Sequence, residues 1–199
     1  AAPSVHGGGS VQAHLEFMSG IEVPDRRVMD LLLASDVRVL PELLRRQGYR
    51  TVNVQPAMPR AWPEAKLLGF VQDVFQPELP YEGHLYHWGR MPDQFAMQRV
   101  LETVVRPATQ PLFVQYVSVV SHAPFSDVPP YYEAWAEATA PGAFAGPPAR
   151  TFPIGWTNFA GHPDVLEAYL AVTEYSLHCA IDFILQTQRP ALAFVLGDH

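Results

Sequence analysis

Helical and strand-like segments alternate along this chain, which leaves few folds open to it. Three times, a segment whose apolar residues have helical spacing leads into an apolar run of strand length. The three pairs are residues 39–47 and 49–54, residues 93–105 and 112–120, and residues 165–186 and 191–196. Repeated alternation of this kind is typical of a parallel sheet that carries helices on both faces. The sequence therefore predicts an α/β fold with a mostly parallel sheet.

Composition indicates a globular domain with a substantial core. The chain has 199 residues, of which 48% are hydrophobic and 17% charged, so one domain is expected. A formal net charge of -7 without any basic run argues against a nucleic-acid partner. No apolar run is long enough to span a membrane. The single cysteine, Cys179, excludes an internal disulfide framework and a cysteine-rich metal cage.

Polar side chains follow two of the predicted strands at their carboxyl ends. Asp198 and His199 come directly after residues 191–196, and His122 follows residues 112–120. Ligands of open α/β sheets bind at this edge, and a carboxylate with an imidazole can hold a divalent ion. An ordinary strand-to-loop turn explains the Asp-His pair equally well, and a loop histidine bonded to backbone explains His122. Because these residues converge on one edge, a site and the structural explanations both stay open.

A glycine-rich turn precedes Ser10 near the start of the chain. Three glycines, at positions 7, 8 and 9, let the backbone approach a substrate closely. A helix that opens just after Ser10 would direct free N–H groups at an anion there. Ser10 is therefore a candidate nucleophile, while a flexible linker or a serine helix cap remains an alternative.

Residues 127–163 form an irregular insertion between the last two helix-strand pairs. The segment is rich in Pro, Gly, Ala and aromatic residues and shows no clear period. A loop that covers the site and a surface excursion are both open interpretations. We expect residues 1–199 to be one catalytic domain that is partial, truncated at both ends, because the chain stops directly after predicted site residues.

Five motifs in order resemble one family, the lipoteichoic acid synthase branch of the alkaline phosphatase and sulfatase superfamily. The segment from Gly8 to Gly20 resembles its nucleophile segment, and residues 39–51 resemble its "lpelL..GY.t" stretch. Trp62 and the Gly69-Phe70 pair fall where the family often has a Trp and a Gly-Phe. Two further matches are the His-x-Pro-Phe at residues 122–125 and the Gly-Asp-His at residues 197–199.

The resemblance implies a set of site residues and a cofactor. It implies Ser10 as nucleophile and metal ligand, with Asp198 and His199 as further metal ligands. His122 would contact the anionic group of the substrate, and Trp62 would line the pocket. The implied cofactor is a divalent ion: Mn, Mg, Ca or Zn. The implied partner is an anionic phosphate or sulfate ester that is lipid- or glycan-linked, on the extracytoplasmic side of a membrane to which the full-length protein is tethered.

Several positions depart from the family pattern. His14 stands where the branch usually has Glu, Gln55 where it has a pocket His, and Ser10 where it has Thr. An acidic metal ligand upstream of the nucleophile and a His downstream of Gly-Asp-His are both outside these residues. Sulfatases need Cys or Ser followed by x-Pro-x-Arg, and Ser10 lacks that pattern, so arylsulfatase activity is disfavoured.

Three functions remain open from the sequence. The leading prediction is a metal-dependent phosphotransferase or hydrolase that acts on phosphate esters through Ser10. A sulfuric ester hydrolase is the second. A binding module that kept the fold and lost its metal is the third.

Overall fold

A computed structural model describes residues 9–86 and 91–197 of the chain. The predicted Asp198 and His199 lie outside the described residues. Five α-helices occur in the described part: α1 (Ser10–Ser19), α2 (Arg26–Leu33), α3 (Leu40–Arg46), α4 (Asp93–Val100) and α5 (Val165–Gln186). Its strands are β1 (Arg50–Gln55), β2 (Gln72–Phe75), β3 (Leu112–Tyr116), β4 (Asp127–Val128) and β5 (Arg150–Thr151). None of the described helices is both long and apolar enough to cross a membrane.

The central sheet is parallel, with strand order β2-β1-β3. Residues on β1 alternate between its two faces, because successive side chains of a strand point in opposite directions. Val52 and Val54 are fully buried on one face, and Thr51 and Asn53 are fully buried on the other. The parallel sheet predicted from the sequence is confirmed.

Helices cover both faces of this sheet. The Val52 face packs against α4 and α5, whose Ala96 and Cys179 are fully buried in the same cluster. The opposite face, which carries Phe113 of β3, packs against α1 through Leu15 and its neighbours. Two layers of helices on one parallel sheet are what the α/β prediction requires.

Local sequence explains where the helices begin and end. The Asp25 carboxylate accepts a hydrogen bond of 2.9 Å from the Val28 N–H and so caps α2. Pro41 stands in the first turn of α3, where a missing N–H costs nothing. Gly20 ends α1 in the left-handed conformation, with its N–H bonded to the Glu16 carbonyl at 2.8 Å.

Gly69 allows α3 to approach the segment that joins β1 to β2. Its φ is +90°, and a Cβ placed there would lie 2.7 Å from the Cα of Glu42 in α3. The Thr51 hydroxyl donates a hydrogen bond of 2.8 Å to the Gly69 carbonyl. Only glycine fits both the conformation and the space, so this contact fixes the β1–β2 connection against the sheet.

The strand expected over residues 191–196 is not a strand in the structure, so this prediction was wrong. No described strand pairs with the segment, and Leu192 and Phe194 are 83% and 68% exposed. An apolar run becomes a strand only where a neighbour accepts its backbone hydrogen bonds. The Phe194 ring instead contacts the Phe17 ring of α1, with centroids 6.2 Å apart.

The strand expected over residues 112–120 ends early, at Tyr116. The chain leaves the sheet there because the Val119 N–H bonds to the Asp93 carboxylate, at 3.1 Å, and not to a neighbouring strand. The helix expected over residues 93–105 is present as α4 followed by a π-helical turn, Leu101–Val105. The four-residue strand β2 was missed.

The irregular segment 127–163 holds the two-residue strands β4 and β5, which pair antiparallel, and a 3-10 turn, Trp135–Thr139. It contributes to the core on the side of α4 and α5, where Trp135 and Phe144 are 4% and 1% exposed. The domain boundaries given above remain predictions.

Candidate functional site

Ser10 and Trp62 line the same cleft, which has a volume of about 420 Å³. The first turn of α1 forms one wall through Gly9, Ser10, Val11 and Gln12. Arg26 and Met29 of α2, together with Trp62 and Glu64 from the β1–β2 connection, complete the lining. This size is within the range of small-molecule sites. The fold thus brings together two residues that the sequence singled out in separate motifs.

Ser10 is the first residue of α1 and does not cap it. Gly9 occupies the N-cap position, and no side chain caps the helix. The first N–H groups of a helix, here those of Ser10, Val11 and Gln12, have no intrahelical acceptor. They carry the partial positive charge of the helix end to the cleft wall. The alternative of a serine helix cap therefore has no support, and an anion beside the Ser10 hydroxyl would be stabilised.

Hydrogen bonds to a partly buried carboxylate fix Trp62. The Trp62 backbone N–H donates a hydrogen bond of 3.0 Å to Oδ2 of Asp73 on β2. The other oxygen of Asp73 accepts a hydrogen bond from the Asn53 amide of β1. The Trp62 side chain is only 7% exposed, because it also packs in the apolar cluster under α1 and α2. The indole at the cleft is therefore held by backbone bonding and by packing together.

His122 follows β3 as the sequence predicts, but it is not among the residues that line the cleft. Its Nδ1–H donates to the Ala123 carbonyl at 2.8 Å. Its ring contacts the Trp156 ring in an edge arrangement, with centroids 6.0 Å apart. Trp156 belongs to the irregular segment 127–163, so His122 links β3 to that segment. Its contact with a substrate remains a prediction.

Of the three predicted metal ligands, one lies within the described residues and two lie outside them. Ser10 lies within them, whereas Asp198 and His199 lie outside. Within residues 9–86 and 91–197, no three His, Cys, Asp or Glu side chains are grouped so that they could hold a metal ion. A hydroxyl, a carboxylate and an imidazole are nevertheless donors that suit a divalent cation. That Ser10, Asp198 and His199 bind a metal ion remains a prediction.

Sequence reasoning missed Asp93, the fully buried acid at the first turn of α4. Its carboxylate accepts hydrogen bonds from the Val119 N–H, at 3.1 Å, and from the Ser176 hydroxyl of α5, at 2.9 Å. Desolvation by burial raises the pKa of Asp93 to about 6, although these hydrogen bonds oppose the rise. Asp93 ties the segment after β3 to two helices. No sequence pattern marks it, because its partners lie far away along the chain.

Cys179 is no substitute nucleophile. It is fully buried in the core, and burial raises the pKa of its thiol above the usual range. A thiol in such surroundings is inert.

Comparisons with known proteins give matches only at the level of structure. No model of a protein family matches the chain, and no curated protein matches its sequence. The crystal structure of the lipoteichoic acid synthase LtaP from Listeria monocytogenes has a TM-score of 0.61 and 12% identity, covering 92% of this chain. A protein in the alkaline phosphatase superfamily from Vibrio parahaemolyticus has a TM-score of 0.53 and 18% identity, covering 90%.

These matches identify the class of fold. The chain has the α/β fold of the alkaline phosphatase superfamily. Its resemblance to the lipoteichoic acid synthase branch, first indicated by five sequence motifs, is confirmed at the level of the fold. The chain spans 41% of the LtaP chain and 40% of the Vibrio chain, which is less than half of either length.

Proposed function

We propose that the chain is part of a metal-dependent hydrolase or transferase that cleaves phosphate esters, with Ser10 as the nucleophile. The observation that carries the proposal is the position of Ser10 at the positive end of α1, on the wall of a cleft that also holds Trp62. The alkaline phosphatase fold of the chain supports ester chemistry at this site. The substrate class, an anionic ester on the extracytoplasmic side, belongs to the same proposal.

Different residues of the cleft have different roles in the proposed reaction. The N–H groups of the first turn of α1 bind the anionic group of the ester and orient it toward the Ser10 oxygen. A divalent ion held by Ser10, Asp198 and His199 would lower the pKa of the hydroxyl. The Ser10 oxygen then forms a bond to phosphorus as the bond to the leaving alcohol breaks, and the alcohol takes up a proton. Water or a second alcohol afterwards attacks phosphorus and releases Ser10.

Replacement of the nucleophile tests the proposal. In the full-length protein, Ser10→Ala should lower kcat/KM for a p-nitrophenyl phosphate diester by at least about 10³-fold, because no covalent intermediate can form. Ser10→Thr should retain activity, since it keeps the hydroxyl. Mass spectrometry of the wild type during turnover should find the phosphoryl group on the peptide that contains Ser10.

The matched control is Ser35→Ala. The Ser35 hydroxyl donates to the nearby Leu32 carbonyl, at 2.7 Å, and accepts from the Val37 N–H, at 3.2 Å; both bonds are local and outside the cleft, so their loss should leave turnover unchanged. Near wild-type activity of Ser10→Ala with an unchanged free energy of unfolding would refute Ser10 as nucleophile. Binding of esters without turnover by the wild type would instead establish the binding module that the sequence left open.

Metal titration tests the cofactor. The full-length protein should bind one of Mn, Mg, Ca or Zn in calorimetric titration, and Asp198→Ala and His199→Ala should each weaken that binding. An unchanged affinity in both variants would exclude these residues as ligands.

A further inference from the structure

The residues after β3 carry the chain from the sheet to His122. The first of them, Val117, still donates its N–H to a carbonyl oxygen of β1, at 3.0 Å. Two residues later, the Val119 N–H donates to a carboxylate oxygen of Asp93 instead, at 3.1 Å. We call residues 117–122 the exit segment. Its path is therefore set by the sheet at its start and by Asp93 further along.

Asp93 holds the exit segment from the helix layer on the Val52 face of the sheet. It is the first residue of α4, and its side chain is only 1% exposed. One carboxylate oxygen accepts from the Val119 N–H, and the other accepts from the Ser176 hydroxyl of α5, at 2.9 Å. Neither partner belongs to α4. Because burial of an acid costs folding free energy, this position is best explained by the two elements that the carboxylate joins.

Val119 transmits this restraint to His122. The Val119 carbonyl accepts a hydrogen bond of 3.1 Å from the His122 backbone N–H, while the Val119 N–H is bound to Asp93. Both polar groups of one residue are thus engaged, one with the core and one with the histidine. Removal of the Asp93 carboxylate would leave a buried N–H without its acceptor, which is costly enough to displace the backbone. His122 would move with it.

The other contacts of the His122 ring do not anchor it to the core helices. Its Nδ1–H donates to the carbonyl of the next residue, Ala123, at 2.8 Å. Its ring meets the edge of Trp156, which belongs to the irregular segment 127–163. These two contacts orient the imidazole relative to its own loop. Asp93 is the residue that fixes the exit segment relative to α4 and α5.

We propose that Asp93 is a positioning residue of the site: through Val119, its carboxylate holds the His122 imidazole where it binds the anionic group of the ester. The inference rests on the proposed function for the ligand that His122 contacts. It goes beyond that function by adding a buried residue that lies outside the cleft and acts through the backbone.

Phosphate binding observed at His122 tests the inference without turnover. In the full-length protein, with histidine labelled with carbon-13 at Cε1 and magnesium present, inorganic phosphate should shift the NMR signal that His122→Gln removes. Asp93→Leu offers no acceptor to the Val119 N–H and should weaken the apparent phosphate affinity by about 10-fold. Asp93→Asn should restore wild-type affinity, because its amide oxygen can accept the same hydrogen bond.

The matched control is Ser176→Ala. It removes the second partner of the same carboxylate and leaves the bond to Val119, so any loss of stability should come without a change in phosphate affinity. Circular dichroism verifies that each variant is folded, and Asp93→Ala takes the place of Asp93→Leu if the leucine variant unfolds.

The outcomes separate this inference from the proposed function, which the kinetics of Ser10→Ala judge independently. A wild-type His122 signal that phosphate does not shift, an unchanged affinity in Asp93→Leu, or an equal loss in Ser176→Ala overturns the inference. In turnover of the phosphate diester, Asp93→Leu combined with His122→Gln should have the same kcat/KM as His122→Gln alone, because Asp93 acts through His122. A further loss in the double variant would overturn that route.

Discussion

The two faces of the central sheet differ in what they bury. The face toward α4 and α5 is apolar, with Val52 and Val54 fully buried, and its helix layer holds the buried, hydrogen-bonded acid Asp93. The face toward α1 carries Asn53 on β1 and Asp73 on β2, paired in register, and leads to Trp62 and the cleft. One face supplies the packing that holds the sheet together, and the other uses that sheet as a rigid base for a polar site.

Removal of a large side chain on the apolar face should have the largest effect. Leu101 is fully buried there, so Leu101→Ala should lower the free energy of unfolding by about 2–5 kcal/mol. The kcat/KM of the folded protein for the phosphate diester should not change, because none of the cleft residues belongs to the apolar cluster that contains Leu101. Denaturant unfolding and steady-state kinetics measure the two quantities.

Leu15→Ala makes the matched change on the other face. Leu15 is equally buried but belongs to α1, the helix that begins with Ser10. A similar loss of stability should here be accompanied by a lower kcat/KM for the phosphate diester. Equal effects of the two variants on kcat/KM would erase the distinction between the faces.

The buried acid of the apolar face should make stability depend on pH. The pKa of Asp93 rises from an ordinary 3.8 to about 6 on folding, which corresponds to about 3 kcal/mol. The folded state therefore holds the proton more tightly, and the free energy of unfolding should fall as pH rises from about 4 to about 6.5. Its titratable neighbours Tyr116, Tyr175 and Cys179 stay neutral in this window, because burial raises the pKa of each.

Asp93→Asn should remove that dependence, since the amide has no proton to gain or lose in this range. The difference in unfolding free energy between the variant and the wild type should change by about 2 kcal/mol between pH 4 and pH 7, because pH 4 already lies above the unfolded pKa. A constant difference across this range would show that Asp93 is ionised in the folded protein as easily as in the unfolded chain.

The carboxylate under the cleft should have a smaller effect on stability and a specific one on turnover. Asp73→Ala removes the acceptor of the Trp62 N–H and of the Asn53 amide, which should cost about 1–3 kcal/mol. The kcat/KM for the phosphate diester should also fall, because Trp62 loses a hydrogen bond that holds it at the cleft. Asp36→Ala, at an exposed position, is the control. An unchanged kcat/KM would mean that packing alone holds Trp62.

The exposed ion pair at the cleft margin should contribute least. Arg26 and Asp30 have side chains 74% and 57% exposed, so solvent screens their attraction. Asp30→Ala should change the free energy of unfolding by less than about 0.5 kcal/mol. A larger loss would assign this pair a structural role that its exposure does not suggest.

Sequence patterns predicted the sheet and most helices because burial imposes a period on both. β1 and β3 appeared as apolar runs, and α5 was predicted over its full observed range, residues 165–186. β2 was missed because it is only four residues long and begins with two polar residues, Gln72 and Asp73, so it forms no apolar run. Residues 191–196 were wrongly predicted as a strand because hydrophobicity says nothing about whether a pairing neighbour is present.

The lining of the candidate cleft was predictable in part. Glycines before Ser10 and the position of Trp62 indicated two residues that share this cleft, although their roles remain predictions. Asp73 and Asp93 were not predictable, because their hydrogen-bond partners are distant in sequence. The roles of His122, Asp198 and His199 stay predictions.

The ring contact between Phe17 and Phe194 has a consequence for the order of folding. A contact between residues this far apart closes a very long loop. The conformational entropy of that loop is lost before the contact contributes any stabilisation. On the ribosome, the helix that begins with Ser10 emerges well before residue 194 and receives this neighbour only after that residue has been added. The packing around α1 is thus completed long after the helix itself has been synthesised.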